Sequence, residues 1–74
     1  MNPNVRINEH MEVVGSDGMH VGTVDHLEGV DRIKLTRDDS RDGRHHFIPT
    51  DWVDHVDNLV HLNRPADEVI GGFQ

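Results

Sequence analysis

Short apolar segments alternate with glycine, proline and acidic turns along most of the chain, a pattern typical of a β protein. Apolar residues 13–14 lead into a Ser-Asp-Gly turn at residues 16–18, where Gly18 can adopt a positive φ at little cost. A second strand is predicted over about residues 19–27. Gly22 lies inside that strand, and a glycine there predicts a β-bulge or a tight bend.

The third strand is predicted to have one face exposed to water, because polar and apolar residues alternate over residues 32–37. Glu28 and Gly29 form the turn before it. A long polar loop over residues 38–43 then leads to a fourth strand over residues 45–48.

A single helical turn is predicted between the last two strands. Pro49 ends the fourth strand, and Thr50 is suited to cap a helical turn over residues 51–54. A turn at residues 57–58 precedes the last strand, which is predicted over residues 59–62.

The residues after position 64 predict a short C-terminal helix. Pro65 suits the first helical position, and Asp67 and Glu68 place acidic side chains in the first turn. The glycines at 71 and 72 indicate where the helix ends.

These elements predict a mainly β fold, in which about five or six strands form a small antiparallel β-barrel. The chain is predicted to be one domain over residues 1–74, with its core over about residues 9–69. Residues 1–4 and 71–74 are expected to be frayed.

The charge and composition of the chain argue against several classes of function. Fourteen acidic and seven basic residues give a net charge of −7, which repels nucleic-acid phosphates and anionic lipid surfaces. The absence of cysteine excludes disulfides and thiolate zinc sites. No apolar run approaches the ~20 residues of a membrane helix, and no signal-like stretch follows Met1. We therefore expect a cytoplasmic protein that binds no nucleic acid and does not insert into membranes.

Three motifs carry a resemblance to a known superfamily. They are apolar-V-x-S-D-G-x-x-V-G-x-V at residues 13–24, I-P-x-x-W-V at residues 48–53 and V-D-x-x-V-x-L at residues 56–62. Over about residues 9–69 the chain resembles the PRC-barrel superfamily, which is named after the reaction-centre H subunit and includes a domain of a ribosome-maturation factor. More closely, it resembles a stand-alone bacterial family of short PRC-barrel-like domains of unknown function. The resemblance implies a PRC-type β-barrel and a role in protein interaction or assembly, with no catalytic residue and no cofactor.

Trp52 is the residue that most favours partner binding. We expect it to cover one end of the barrel together with Val53 and Val56. We also expect it to anchor a protein partner or a second copy of the chain, because interfaces favour tryptophan. The predicted partner-binding residues are Trp52, Val53, Phe47 and His55.

Histidine and aspartate are concentrated around Trp52, which raises the question of a metal site. The candidate ligands are His45, Asp51 and His55, of which the last two have the i, i+4 spacing of one helix face. His45 and His46 point to opposite faces of a strand and cannot easily share an ion. Three further histidines could approach one another across strands but form no known metal motif: His20, His26 and His61. We favour histidines that are hydrogen-bonded to nearby aspartates, with no metal bound.

The polar loop is a weak match to a calcium-binding loop. Asp38, Ser40 and Asp42 have the spacing of the first three EF-hand ligands. Pro49 stands where the bidentate glutamate is required, so we predict a solvated loop.

Catalysis is not expected. Ser16 and Ser40 both lie in predicted turns, where serine has a local structural role, and a barrel of this size has little room for a pocket. The expected function is a non-enzymatic adaptor or assembly module that binds a protein partner or forms a homodimer. One alternative is a metal- or pH-responsive binding protein that uses the histidines. A second is a ribosome- or RNA-associated factor, by analogy with the maturation-factor domain, and the net charge of −7 disfavours it.

Overall fold

The computed structural model describes residues 7–38 and 43–73. Within these residues the chain forms six strands, a 3-10 turn (Thr50–Trp52) and one helix, α1 (Ala66–Gly71). The strands are β1 (Glu12–Val14), β2 (His20–Glu28), β3 (Arg32–Leu35), β4 (Phe47–Pro49), β5 (Val53–Val56) and β6 (Val60–Leu62). The prediction of a mainly β fold with a short C-terminal helix is confirmed.

The six strands form one mixed sheet in the order β4-β3-β2-β1-β6-β5. Four neighbouring pairs are antiparallel, whereas β1 and β6 run parallel, with Val13 opposite Val60. The prediction of an all-antiparallel sheet is therefore wrong at this pair. Turn residues specify pairing between consecutive strands, but β1 and β6 are distant in sequence and meet because both bury valines in the same core.

The sheet is not closed into a barrel. β4 and β5 are the two ends of the strand order, and no hydrogen-bonded ladder joins them within the described residues. The 3-10 turn instead carries the chain from one edge strand to the other. The backbone N–H of Thr50 donates to the carbonyl of Asp31 at 3.0 Å, and that of Asn63 donates to the carbonyl of Trp52 at 2.8 Å. These two bonds fix both ends of the turn.

The helical turn predicted after Pro49 is present but shorter than predicted. Pro49 itself is the N-cap residue, so the assignment of Thr50 as the cap is wrong. The Thr50 hydroxyl donates to the carbonyl of Val30 at 3.2 Å instead. Strand β5 begins at Val53, so residues 53 and 54 are extended rather than helical.

The bulge predicted at Gly22 is confirmed. Val13 pairs with Gly22, but Val14 pairs with His20, so the register shifts by one residue beside the glycine. A Cβ atom at Gly22 would lie 3.2 Å from Cδ1 of Leu35, so the absence of a side chain also lets Leu35 pack closely. A bulge increases the local twist of a sheet, which helps β2 pair with both β1 and β3.

Every strand and α1 contribute apolar side chains to one core, which explains the alternating pattern of the sequence. The largest fully buried side chains are Ile33, Ile48, Leu62, Val13, Val24, Val60 and Val69. No polar or charged residue is buried within the described part of the chain. The core includes Ile7, two positions before the predicted start at residue 9.

The helix α1 packs where the β1–β2 hairpin turns. Pro65 is its N-cap residue rather than its first helical residue, and Ala66 and Val69 are its buried positions. A Cβ atom at Gly15 would lie only 2.4 Å from the backbone nitrogen of Ala66, so this close approach requires glycine. Beyond the helix, Phe73 packs against the core. Residues 1–6, 39–42 and 74 lie outside the described residues, and so do the predicted fraying of residues 1–4 and 74 and the calcium-loop candidates Ser40 and Asp42.

Candidate functional site

The four residues predicted to bind a partner lie on three consecutive elements of the chain: β4, the 3-10 turn and β5. Phe47 lies in edge strand β4, where the Arg32 guanidinium sits 4.8 Å from the centre of its ring. His55 lies in β5, the opposite edge of the hydrogen-bonded sheet. Trp52 and Val53 lie where the 3-10 turn joins β5, and both pack partly buried against the core.

Trp52 has both a core-facing and a solvent-facing side. Its ring packs against the core, and its Cη2 atom lies 3.4 Å from the position of a Cβ atom at Gly72. The Arg64 guanidinium lies 4.7 Å from the centre of the indole ring, within the range of a cation–π interaction. Arg64 also reaches the Glu68 carboxylate at 3.7 Å. Trp52 is thus held in place from the core and covered by a cation on the outside.

The three residues proposed from sequence as metal ligands are not brought together. The i, i+4 spacing of Asp51 and His55 does not place them on one face of a helix. The 3-10 turn that contains Asp51 ends before His55, which lies in strand β5. His45 lies before β4, where its Nδ1 atom is 3.0 Å from the carbonyl oxygen of Leu35. His46 stacks on Phe73 with the ring centres 4.4 Å apart, so His45 and His46 have separate neighbours. Of the calcium-loop candidates, Asp38 is exposed, and Ser40 and Asp42 lie outside the described residues.

Most of the described histidines contact acidic side chains. The shortest ring-nitrogen to carboxylate distances are His55–Asp54 at 2.7 Å, His20–Glu12 at 2.9 Å, His61–Asp57 at 2.9 Å and His26–Glu28 at 3.2 Å. These pairs are exposed or part-buried, so water screens the interaction in each of them.

One group combines two histidines and an aspartate on the β5–β6 hairpin: His55, Asp57 and His61. His55 and His61 are register partners across the two strands, and their rings stack with centres 4.1 Å apart and planes 10° apart. One ligand atom from each of the three residues lies within 4.8 Å of the other two. We call this group the hairpin cluster.

Asp57 is fixed at the turn of the hairpin. Its Oδ1 atom accepts a hydrogen bond from the backbone N–H of Leu59 at 2.8 Å and lies 2.9 Å from Nε2 of His61. The pKa of Asp57 is held below its ordinary value mainly by the hydrogen bond from the Leu59 N–H and next by the hydrogen bond with His61. The charge of His55 has a smaller effect in the same direction. The carboxylate is therefore ionised at neutral pH and ready to bind a cation.

An open groove lies beside the hairpin cluster. Its volume is about 370 Å³, and it separates the β1–β2 turn from the β5–β6 hairpin. Gly15, Ser16 and Gly18 line one side, and His55 and His61 line the other. A cation at the hairpin cluster would therefore be reached directly from solvent.

From the sequence, His61 was considered only together with His20 and His26, and Asp57 was assigned only to a turn, because no strand was predicted at residues 53–56. The signal was present: the residues flanking the turn at Asp57 pair symmetrically, Val56 with Val60 and His55 with His61. If residues 53–62 form a tight hairpin that turns at Asp57, His55 and His61 are cross-strand neighbours on the same side of the sheet.

The chain matches the sequence profile of a family described as "Uncharacterized protein conserved in bacteria (DUF2171)" over residues 7–70. The chain belongs to this family. The match confirms the prediction of a bacterial family of unknown function. The matched region begins at Ile7, the first residue that the structure describes, and includes the hairpin cluster and Trp52. No curated protein matches this DUF2171 chain.

The described residues contain no helix that is both long enough and apolar enough to cross a membrane.

Proposed function

We propose that this domain is a non-enzymatic interaction module of the PRC-barrel type, which binds a protein partner in the cytoplasm through a surface centred on Trp52. The observation that carries the proposal is the half-buried Trp52 ring with the Arg64 guanidinium above it. Tryptophan and arginine are the residue types most enriched among those that dominate binding energy at protein interfaces.

The setting of Trp52 suits an anchor residue. Its ring is already held by the core and by Arg64, so a partner that covers it orders few additional side-chain rotations. Val53, the next residue, is also half-buried and adds apolar surface beside the ring. A pre-organised aromatic side chain of this kind binds at a lower cost in conformational entropy than a mobile one.

The charge of the chain favours a basic partner. At −7, two copies of the chain repel each other, whereas a protein with a positive surface is attracted from a distance. A homodimer would therefore be strengthened by salt, and a complex with a basic partner would be weakened by it. The same charge opposes an RNA-associated role.

The PRC-barrel assignment is supported by the path of the chain. One 3-10 turn joins β4 and β5, the two edge strands of the six-stranded sheet, and such a short link between opposite edges is compatible with a barrel-like arrangement. The module has no nucleophilic cysteine, and its serines Ser16 and Ser40 were predicted to have roles in turns, which agrees with binding rather than catalysis.

The test is site-specific photo-crosslinking in the native cell, with a benzophenone amino acid at position 51, which is exposed, adjoins Trp52 and leaves Arg64 in place. Position 30 serves as the control, because Val30 is 80% exposed and lies in the turn between β2 and β3. The proposal expects one discrete adduct from position 51 that is absent from position 30 and is lost in Trp52→Ala. An adduct with twice the mass of the chain would identify a homodimer. Equal labelling from both positions, or none from position 51, would contradict the proposed surface.

A further inference from the structure

We propose that the hairpin cluster, His55, Asp57 and His61, is a binding site for one divalent transition-metal ion of the zinc, nickel and copper class. The site uses none of the residues that carry the proposed surface, Trp52, Val53 and Arg64, and it does not depend on the function proposed above.

The ligand set fits this class of ion. Imidazole nitrogens suit zinc, nickel and copper, and a carboxylate can complete the set, whereas calcium and magnesium prefer oxygen ligands alone. Three protein ligands and an open position resemble the arrangement of solvent-accessible zinc sites. The groove beside His55 and His61 provides room for a water molecule or an external group in the open position.

The distances require only a small adjustment. With zinc–ligand bonds of about 2.0–2.1 Å, tetrahedral ligand atoms lie roughly 3.3–3.5 Å apart. The corresponding atoms here lie within 4.8 Å of one another. The His55 side chain is 56% exposed, so it can rotate out of its stack on His61 by the required ångström or so without disturbing the core.

The surrounding groups orient two of the three ligands. The Asp54 carboxylate lies 2.7 Å from Nδ1 of His55, so it can accept a hydrogen bond from the Nδ1–H group and leave Nε2 for the ion. The Leu59 N–H fixes the Asp57 carboxylate. Asp54 and Asp57 together supply two negative charges against the two positive charges of the ion. Across the groove, Gly15, Ser16 and Gly18 add no opposing positive charge.

The ion would replace a proton. The Nε2 atom of His61 and the Asp57 carboxylate lie 2.9 Å apart, within hydrogen-bonding distance, and the ion would take the place of the hydrogen between them. Metal ligands must be deprotonated, so binding of the ion releases this proton.

The test uses untagged protein titrated with zinc, followed by NMR of the histidine side chains. The expected result is a 1:1 titration in which the ring signals of His55 and His61 shift and those of His20 do not. Cobalt in place of zinc should give visible absorption bands of a bound ion. His55→Ala should abolish the site-specific shifts, and Asp54→Asn should weaken binding by about 10- to 100-fold.

His20→Ala is the matched control, because His20 contacts Glu12 at 2.9 Å and is exposed to a similar degree as His55. This variant should bind zinc as the wild type does. The proposal is overturned if equimolar zinc leaves the His55 and His61 signals unchanged, or if His20→Ala weakens binding as much as His55→Ala. His55 is exposed, so its variant should fold even where His61→Ala does not, and the backbone NMR spectrum verifies this.

Discussion

Gly15 should be the glycine least tolerant of substitution, because the start of α1 approaches it so closely. A Cβ atom in Gly15→Ala would lie 2.4 Å from the backbone nitrogen of Ala66 and 3.0 Å from its Cα atom. Ordinary contacts between such atoms are about 3.5–4.0 Å, so the helix would have to move by roughly 1 Å. The segment cannot move freely, since the Ser16 N–H donates to the carbonyl of Arg64 at 2.8 Å.

The cost can be estimated from its two parts. Overpacking in a close-packed interior costs about 1–3 kcal/mol, and weakening one backbone hydrogen bond costs about 0.5–1.5 kcal/mol. The free energy of unfolding should therefore fall by about 1.5–4.5 kcal/mol. Domains of this length are stable by about 4–11 kcal/mol in total, and the midpoint of thermal unfolding should fall by about 10–30 °C.

The assay is urea denaturation followed by far-ultraviolet circular dichroism at fixed pH and salt. Gly71→Ala is the matched control, because Gly71 lies in the same helix with nothing within 4 Å of its added Cβ atom. That variant should be more stable than wild type by up to about 1 kcal/mol, since alanine has the higher helix propensity. A Gly15→Ala protein within about 0.5 kcal/mol of wild type would refute the close approach of α1 to the β1–β2 turn.

Three further predictions concern the two candidate surfaces. Asp57→Asn should lower the free energy of unfolding at pH 7. Because the pKa of Asp57 is lowered on folding, this difference should vanish as the pH falls through the folded-state pKa, below the ordinary value of 3.8, and urea denaturation at pH 7 and pH 3 measures it. Arg64→Ala should cost about 0.5–1 kcal/mol and shift the fluorescence of Trp52, because the cation–π contact is lost. Zinc at a hundredfold excess over its dissociation constant should stabilise the protein by about 2.7 kcal/mol, but should not stabilise His55→Ala.

Each of these predictions has a contradicting outcome. If Asp57→Asn is equally destabilised at both pH values, the side chain acts through packing and not through its charge. Unchanged fluorescence in Arg64→Ala would mean that the guanidinium does not lie over the indole ring in solution. Equal stabilisation of wild type and His55→Ala by zinc would place the ion outside the hairpin cluster.

The sequence predicted local features well because local residues determine them. The bulge at Gly22, the helical turn after Pro49 and the short C-terminal helix each follow from the conformational preferences of a few adjacent residues. The parallel pairing of β1 with β6 and the approach of Gly15 to Ala66 could not be predicted in this way. Both depend on how distant segments share the core, and no turn residue encodes that arrangement.

The candidate site was predicted only in part for a related reason. His55 was identified as a candidate ligand. A helical turn was predicted over residues 51–54, however, so strand β5, which pairs His55 with His61, was not predicted. Hydrophobic spacing could not distinguish a helical turn from the start of a strand over so few residues. An error of two residues in one boundary therefore changed which side chains were expected to meet.

Both candidate surfaces depend on the same hairpin. Strand β6 carries His61, and Asn63, which follows this strand, donates its backbone N–H to the carbonyl of Trp52 at 2.8 Å and its side-chain amide to the carbonyl of Asp51 at 3.2 Å. The end of β6 therefore holds the turn that presents Trp52. A substitution that opens the β5–β6 hairpin must disturb both surfaces, whereas removal of the exposed His55 ring should disturb only the metal ligands. If His55→Ala loses metal binding while the surface at Trp52 stays intact, the substitution has therefore removed the metal site and not the fold.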